Sequence, residues 1–133
     1  MTSVKTRDEL KNILKKQDIG LMSYFIPNNK RELLLARMVL AVKTAEYLVA
    51  GLPMICSKYC GGASDLIDLN GLGLSYDPEN LSCLNQGDIE KLLSYDVKKN
   101  CIKFSENNFD YIVNGHKYME VYKNYFVQDL NVK

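Results

Sequence analysis

The chain lacks several features that would assign a function at once. Its 133 residues carry a net charge of only +1, which gives no basic surface for nucleic acid or for an anionic membrane. No apolar run is long enough to span a bilayer. The segment from Met1 to Lys16 is too charged for a secretory signal. The four cysteines, Cys56, Cys60, Cys83 and Cys101, do not fall at zinc-binding spacing. Nothing points to an oxidising compartment, so they read as reduced thiols in a cytoplasmic protein. There is no acidic cluster of the kind that holds a metal, so none is expected. Internal repeats, low-complexity segments and interior linkers are also missing.

What remains is an ordinary globular composition, 47% apolar and 25% charged. That suits one domain able to bury a real core. Its centre is the stretch Ala41 to Ile55. Ala45, Leu48, Val49 and Leu52 recur at helical spacing and predict one buried stripe. Gly51 falls where a helix ends in a left-handed residue, and Pro53 prevents the helix from resuming. Met54-Ile55-Cys56 reads as a buried strand. Lys43 and Glu46, three apart, are neighbours on a face beside the stripe.

On the N-terminal side, Ser3 is a candidate cap for a helix to about Lys16, with Leu10, Ile13 and Leu14 as its buried edge. Ile19 to Tyr24 reads as a strand and Pro27-Asn28-Asn29 as a loop. Lys30 to Leu40 is ambiguous and is assigned to a short helix. On the C-terminal side, Gly61-Gly62 opens a loop followed by a short helix, and Gly71 to Tyr76 is a third strand ended by Asp77-Pro78. Helices are expected from Gly87-Asp88 to Leu93, from Val97 to Phe104, and from about Phe109 to Phe126. In the last, Tyr111, Ile112, Tyr118, Met119, Tyr122, Tyr125 and Phe126 follow helical spacing.

Strands alternating with helices predict an α/β fold, with a Rossmann-like parallel sheet and flanking helices. Only three strands are convincing, and a doubly wound sheet usually has more. One sheet edge is then expected to be bare. The chain reads as a single domain that is the later part of a larger one.

Three segments carry a family resemblance: Asp18-Ile19-Gly20-Leu21-Met22; Val42-Lys43-Thr44-Ala45-Glu46-Tyr47-Leu48-Val49-Ala50-Gly51-Leu52-Pro53-Met54-Ile55; and Gly61-Gly62-Ala63-Ser64-Asp65-Leu66-Ile67. In this order they resemble the C-terminal, donor-binding domain of a GT-B glycosyltransferase of the family-4 (group 1) class, over about Val4 to Tyr125. The resemblance implies hexosyl transfer from a nucleotide-diphosphate sugar to an acceptor hydroxyl. It places Glu46 on the ribose hydroxyls and Lys43 and the N–H groups near Thr44 beside the diphosphate. Arg37 partly fills the role of a further phosphate-binding cation, and Gly61 and Gly62 lie near the donor. No cofactor is implied beyond the nucleotide sugar itself.

The resemblance also implies that the acceptor domain and the early strands of the donor domain lie outside this chain. The isolated chain is accordingly expected to be inactive. Its partners would be the missing N-terminal half, a partner chain, or a second copy meeting the bare sheet edge, with no nucleic acid and no transmembrane segment. Met38 stands where many such enzymes carry a sugar-reading glutamate. Leu40-Ala41 replaces the Ser-Pro of a subgroup that also lacks that glutamate.

Plainer readings stand beside these. Glu46 is otherwise a solvated helix carboxylate, and Lys43 its i,i+3 partner. Arg37 is a surface residue, and the two glycines serve loop geometry. His116, the one histidine, is read as half-buried packing rather than a catalytic base. The tyrosine stripe is read as packing, part of it an orphaned interface. At the level of function, the alternatives are a non-catalytic nucleotide-sugar-binding partner subunit and an unrelated small nucleotide-binding α/β domain.

Overall fold

The computed structural model describes residues 6–24, 26–38, 40–81 and 84–126. Ser3, Lys5 and Cys83 lie outside them, as do the side chains of Tyr125 and Phe126. Among the described residues the elements are α1 (Arg7–Leu14), β1 (Gly20–Met22), α2 (Lys30–Met38), α3 (Val42–Val49), β2 (Met54–Ser57), α4 (Gly62–Asn70), β3 (Gly73–Tyr76), α5 (Gln86–Leu92), α6 (Tyr95–Phe109) and α7 (Tyr111–Phe126). The sheet has three parallel strands in the order β1-β2-β3, with Gly20 opposite Met54 and Met54 opposite Gly73. The fold is therefore a small open α/β sheet with flanking helices, compatible with a Rossmann-like arrangement. The expected neighbouring strands around Ile19–Tyr24 and Met54–Cys56 are observed, joined through α3.

The turn into β2 follows from its sequence. Gly51 adopts φ 75°. Its N–H donates to the Leu48 carbonyl (3.0 Å) and that of Leu52 to the Tyr47 carbonyl (2.9 Å). These are the paired bonds by which a left-handed residue closes a helix. The same device recurs one unit later. Gly71 has φ 61° and the Leu72 N–H donates to the Ile67 carbonyl at 2.9 Å. In both turns the residue after the glycine is a buried leucine, Leu52 or Leu72, so each helix ends by driving a leucine into the core ahead of a strand.

The core is built on one face of the sheet. Leu48, Met54, Cys56, Ala63, Ile67, Leu72 and Cys101 are buried in one cluster. Gly20 and Gly73 flank Met54 because neighbours occupy the space a side chain would need. The Tyr47 ring lies against Gly20, and the Met54 carbonyl and Ile67 lie against Gly73. On the opposite face Ile55 is buried, but Leu21 on edge strand β1 is 65% exposed.

Several expectations need correction. The buried stripe of α3 is Thr44 and Leu48; Val49 is 59% exposed. The stripe is rotated by about one residue, because the interior contact follows the i,i+4 step from Thr44 through Leu48 to Leu52. Thr6 caps α1, accepting from the Glu9 N–H at 3.2 Å. Leu10, Ile13 and Leu14 form no buried edge, since no residue of α1 is buried. Asn85 caps α5, and Ser94 caps α6, which runs on to Phe109. The helix expected from about Phe109 to Phe126 is observed as α7, set off from α6 where Asp110 leaves helical geometry and its carboxylate accepts from the N–H groups of Ile112 and Val113. α7 packs against α6, yet Tyr111, Tyr118, Met119 and Tyr122 are exposed. His116 is exposed as well, not half-buried.

Candidate functional site

The site residues inferred from sequence lie on three elements whose ends are set by the topology. α3 leads into the amino end of β2, and α4 leaves its carboxyl end. α3 has 8 residues and β2 has 4, spans of about 12 Å and about 13 Å respectively. Tyr47, the sixth of the eight residues of α3, lies against Gly20 of β1. α3 thus runs back along the sheet, and its first turn is level with the strands' carboxyl ends. That is where open α/β sheets bind ligands, and both helix N-termini, of α3 and of α4, are found there.

The start of α3 is bare. Its N-cap is Ala41, which offers no side-chain hydrogen bond. The Thr44 N–H donates to the Ala41 carbonyl at 2.9 Å. Without a capping side chain, the N–H groups of Val42 and Lys43 are left for solvent or an anion. Lys43 is exposed in this first turn and Glu46 is half-buried one turn on. No ion pair or side-chain hydrogen bond joins them to each other or to another described residue, so the expected i,i+3 pairing is not made.

Thr44 is fully buried, and its hydroxyl is the buried side-chain polar atom without a partner among the described residues. Such a vacancy costs about 1–3 kcal/mol.

At the start of α4, Gly61 has φ 58° and ψ −127°, a combination essentially restricted to glycine. A side chain there would overlap the Ala36 carbonyl at the end of α2. Gly61 is therefore fixed by backbone packing as well as by its dihedrals, and the space beside it is filled by protein. This contact brings the backbone of Arg37 next to the glycine loop, with the Arg37 side chain exposed. Gly62 is half-buried as the first residue of α4. Ser64 closes the turn, its hydroxyl donating to the Gly61 carbonyl at 2.8 Å.

A polar group at the same end of the sheet escaped the sequence reading. Lys58, directly after β2, meets Asp77, directly after β3, at 2.6 Å and Glu79 at 3.8 Å. The Tyr59 hydroxyl donates to Glu79 at 2.8 Å. The hydrogen bond to Asp77 raises the Lys58 ammonium to about 12, and the same bond holds the Asp77 carboxyl below its ordinary value. Position was the available signal: residues that immediately follow strands of an open sheet face the ligand end.

Two shallow hollows lie elsewhere. One, of about 240 Å³, is lined by Asn70, Leu72, Asn100, Lys103, Phe104, Asn107 and Asn108. The other, of about 310 Å³, includes Val49, Ile102, Phe109 and Tyr111. Neither is lined by Arg37, Lys43, Thr44, Glu46, Gly61 or Gly62. No helix among the described residues is long and apolar enough to cross a membrane. Comparison of the chain with protein-family models, with curated proteins and with solved structures found no match.

Proposed function

We propose that this chain is the donor-binding part of a GT-B-type glycosyltransferase, holding a nucleotide-diphosphate sugar at the carboxyl end of its sheet. One observation carries the reading. The uncapped first turn of α3, with Lys43 and Glu46 unpaired, stands at the end of a parallel sheet where the next helix also begins. Glu46 accepts hydrogen bonds from the ribose hydroxyls. Lys43, the free N–H groups of α3 and, from α2, Arg37 face the diphosphate. In the transfer step an acceptor hydroxyl bonds to the anomeric carbon as the bond from that carbon to the diphosphate breaks. The charge then developing on the diphosphate is what a cation and a helix N-terminus stabilise.

The other wall of the cleft is supplied by further polypeptide. Leu21, exposed on β1, an edge strand among the described residues, supports such a neighbour, since bare edges invite pairing. Orientation of donor and acceptor provides much of the acceleration in displacements of this kind, so the 133 residues alone bind donor without useful transfer.

The test is calorimetric titration of uridine, guanosine and adenosine diphosphates into the parent and into Glu46→Gln. A hydroxyl-to-carboxylate bond contributes about 1.5–3 kcal/mol, so the variant should bind its preferred nucleotide roughly ten-fold or more weakly while folding normally. Equal affinity in the two proteins removes Glu46 from the site.

A further inference from the structure

Two buried thiols take no part in the proposed binding. Cys56 and Cys60 are both buried, at 0% and 2% exposure. Cys56 is on β2, directly opposite Met22 of β1. After β2 the chain turns back on itself, the Cys60 N–H donating to the Ser57 carbonyl at 2.8 Å. That turn places Cys60 over the strand end, where its Sγ lies 3.4 Å from the carbonyl oxygen of Met22, the residue paired with Cys56. Both thiols belong to the same buried cluster, and each perturbs the other's proton affinity. Cys101, the other described cysteine, sits apart with its Sγ against the Leu72 carbonyl at 3.7 Å.

We propose that Cys56 and Cys60 form a reversible intramolecular disulfide when the protein meets a hydroperoxide. It would be a modification site that ties the end of β2 to the residue preceding the Gly61-Gly62 turn.

The chemistry is asymmetric. Cys60 is the less buried thiol, and the hydrogen bond from Cys56 holds it below its ordinary value, with the N–H groups of Ser57 and Tyr24 acting in the same direction against burial. Cys56 is pushed up by its bond to Cys60 and by burial. Cys60, the nearer of the two to the surface, is thus the attacking sulfur and Cys56 the resolving thiol. The Cys60 sulfur attacks one peroxide oxygen and the O–O bond breaks. This gives a sulfenic acid and an alkoxide or hydroxide, which takes up a proton. The Cys56 sulfur then attacks the Cys60 sulfur, its proton leaving with the departing hydroxide as water. Two thiols are oxidised by two electrons, and the peroxide is reduced to an alcohol (or water) and water. The inference does not depend on the nucleotide-sugar reading.

The test uses the full chain as it folds. Purified protein is treated with hydrogen peroxide, its remaining thiols are blocked, and it is digested with trypsin without reductant. Lys58 separates the two cysteines, so a Cys56–Cys60 bond leaves the peptides Thr44–Lys58 and Tyr59–Lys91 linked. Because Cys83 shares the second peptide, Cys83→Ser is run in parallel. The expected result is the linked pair in the parent and in Cys83→Ser, lighter by two hydrogen atoms than its reduced components, undone by dithiothreitol and absent from Cys60→Ala. The proposal is overturned if the parent stays reduced at peroxide levels that oxidise a free thiol peptide. It is equally overturned if the link disappears in Cys83→Ser, or forms only when urea has unfolded the chain.

Discussion

Thr44→Val separates a packing role from a binding role at one atom. The side chain is fully buried and its hydroxyl has no partner among the described residues. Valine keeps the branched shape and a similar helix propensity, so the main change is removal of an unsatisfied polar group. The vacancy costs about 1–3 kcal/mol, and removing it should stabilise the fold by about 1 kcal/mol once imperfect packing of the new methyl is allowed for. For a domain of this size that is a rise in Tm of roughly 3–5 °C, read by urea and thermal unfolding. If the hydroxyl is held for a diphosphate oxygen reached on ligand-induced movement of α3, the same variant should bind nucleoside diphosphate several-fold more weakly. Stability up with affinity down is the expected signature. A loss of stability of about 1 kcal/mol or more would show that the hydroxyl is satisfied in solution, and the argument from its vacancy would then be wrong.

Other outcomes follow from the same geometry. Gly61→Ala should destabilise by about 3 kcal/mol or more, through its left-handed backbone and overlap with the Ala36 carbonyl. Unfolding at parental denaturant concentration would contradict that. Asp77 is held below its ordinary value by Lys58, so its contribution is present above the unfolded carboxyl pKa and is lost as pH falls through the folded one. The stability difference between parent and Asp77→Asn should be flat from about pH 5 to pH 9 and should close below about pH 4; a gap that persists in acid refutes the ion-pair account. Lys43→Ala should weaken diphosphate binding with an effect that shrinks as salt rises, if Lys43 acts through charge. The control Lys11→Ala, on exposed α1, should change neither binding nor folding.

The parts of the fold fixed by local chemistry were legible in the sequence. Gly51 followed by Leu52-Pro53 spells a helix stop and a strand start, and the observed bonds are those the stop requires. The continuous apolar run Met54-Ile55-Cys56 is a strand buried throughout. The parallel pairing of β1 and β2 followed from the helix between them. What depended on distant partners was not legible. The rotation that buries Thr44 and exposes Val49 is decided by what α3 packs against, including α6, some fifty residues later. The apolar edge of α1 predicts burial only if something lies against it, and none of its residues is buried. At the candidate site, Lys43 and Glu46 were singled out by the family resemblance, whereas the Lys58–Asp77–Glu79 group joins the ends of two strands, a proximity that only the sheet register creates. Gly61 was recognised as a special backbone position, whereas the Ala36 carbonyl that enforces it comes from α2.

The central claim is that a nucleoside diphosphate binds at the carboxyl end of the sheet, between the first turn of α3 and the start of α4. Titrating uridine, guanosine and adenosine diphosphates into ¹⁵N-labelled protein, while following backbone amide shifts, tests it most directly. The account predicts saturable shifts for at least one nucleotide, concentrated at Val42, Lys43, Thr44, Gly61 and Gly62 and greatly reduced in Glu46→Gln. Shifts centred instead on Asn100, Lys103 and Asn107, which line the hollow elsewhere on the molecule, or no saturable shifts with any of the three, would contradict it.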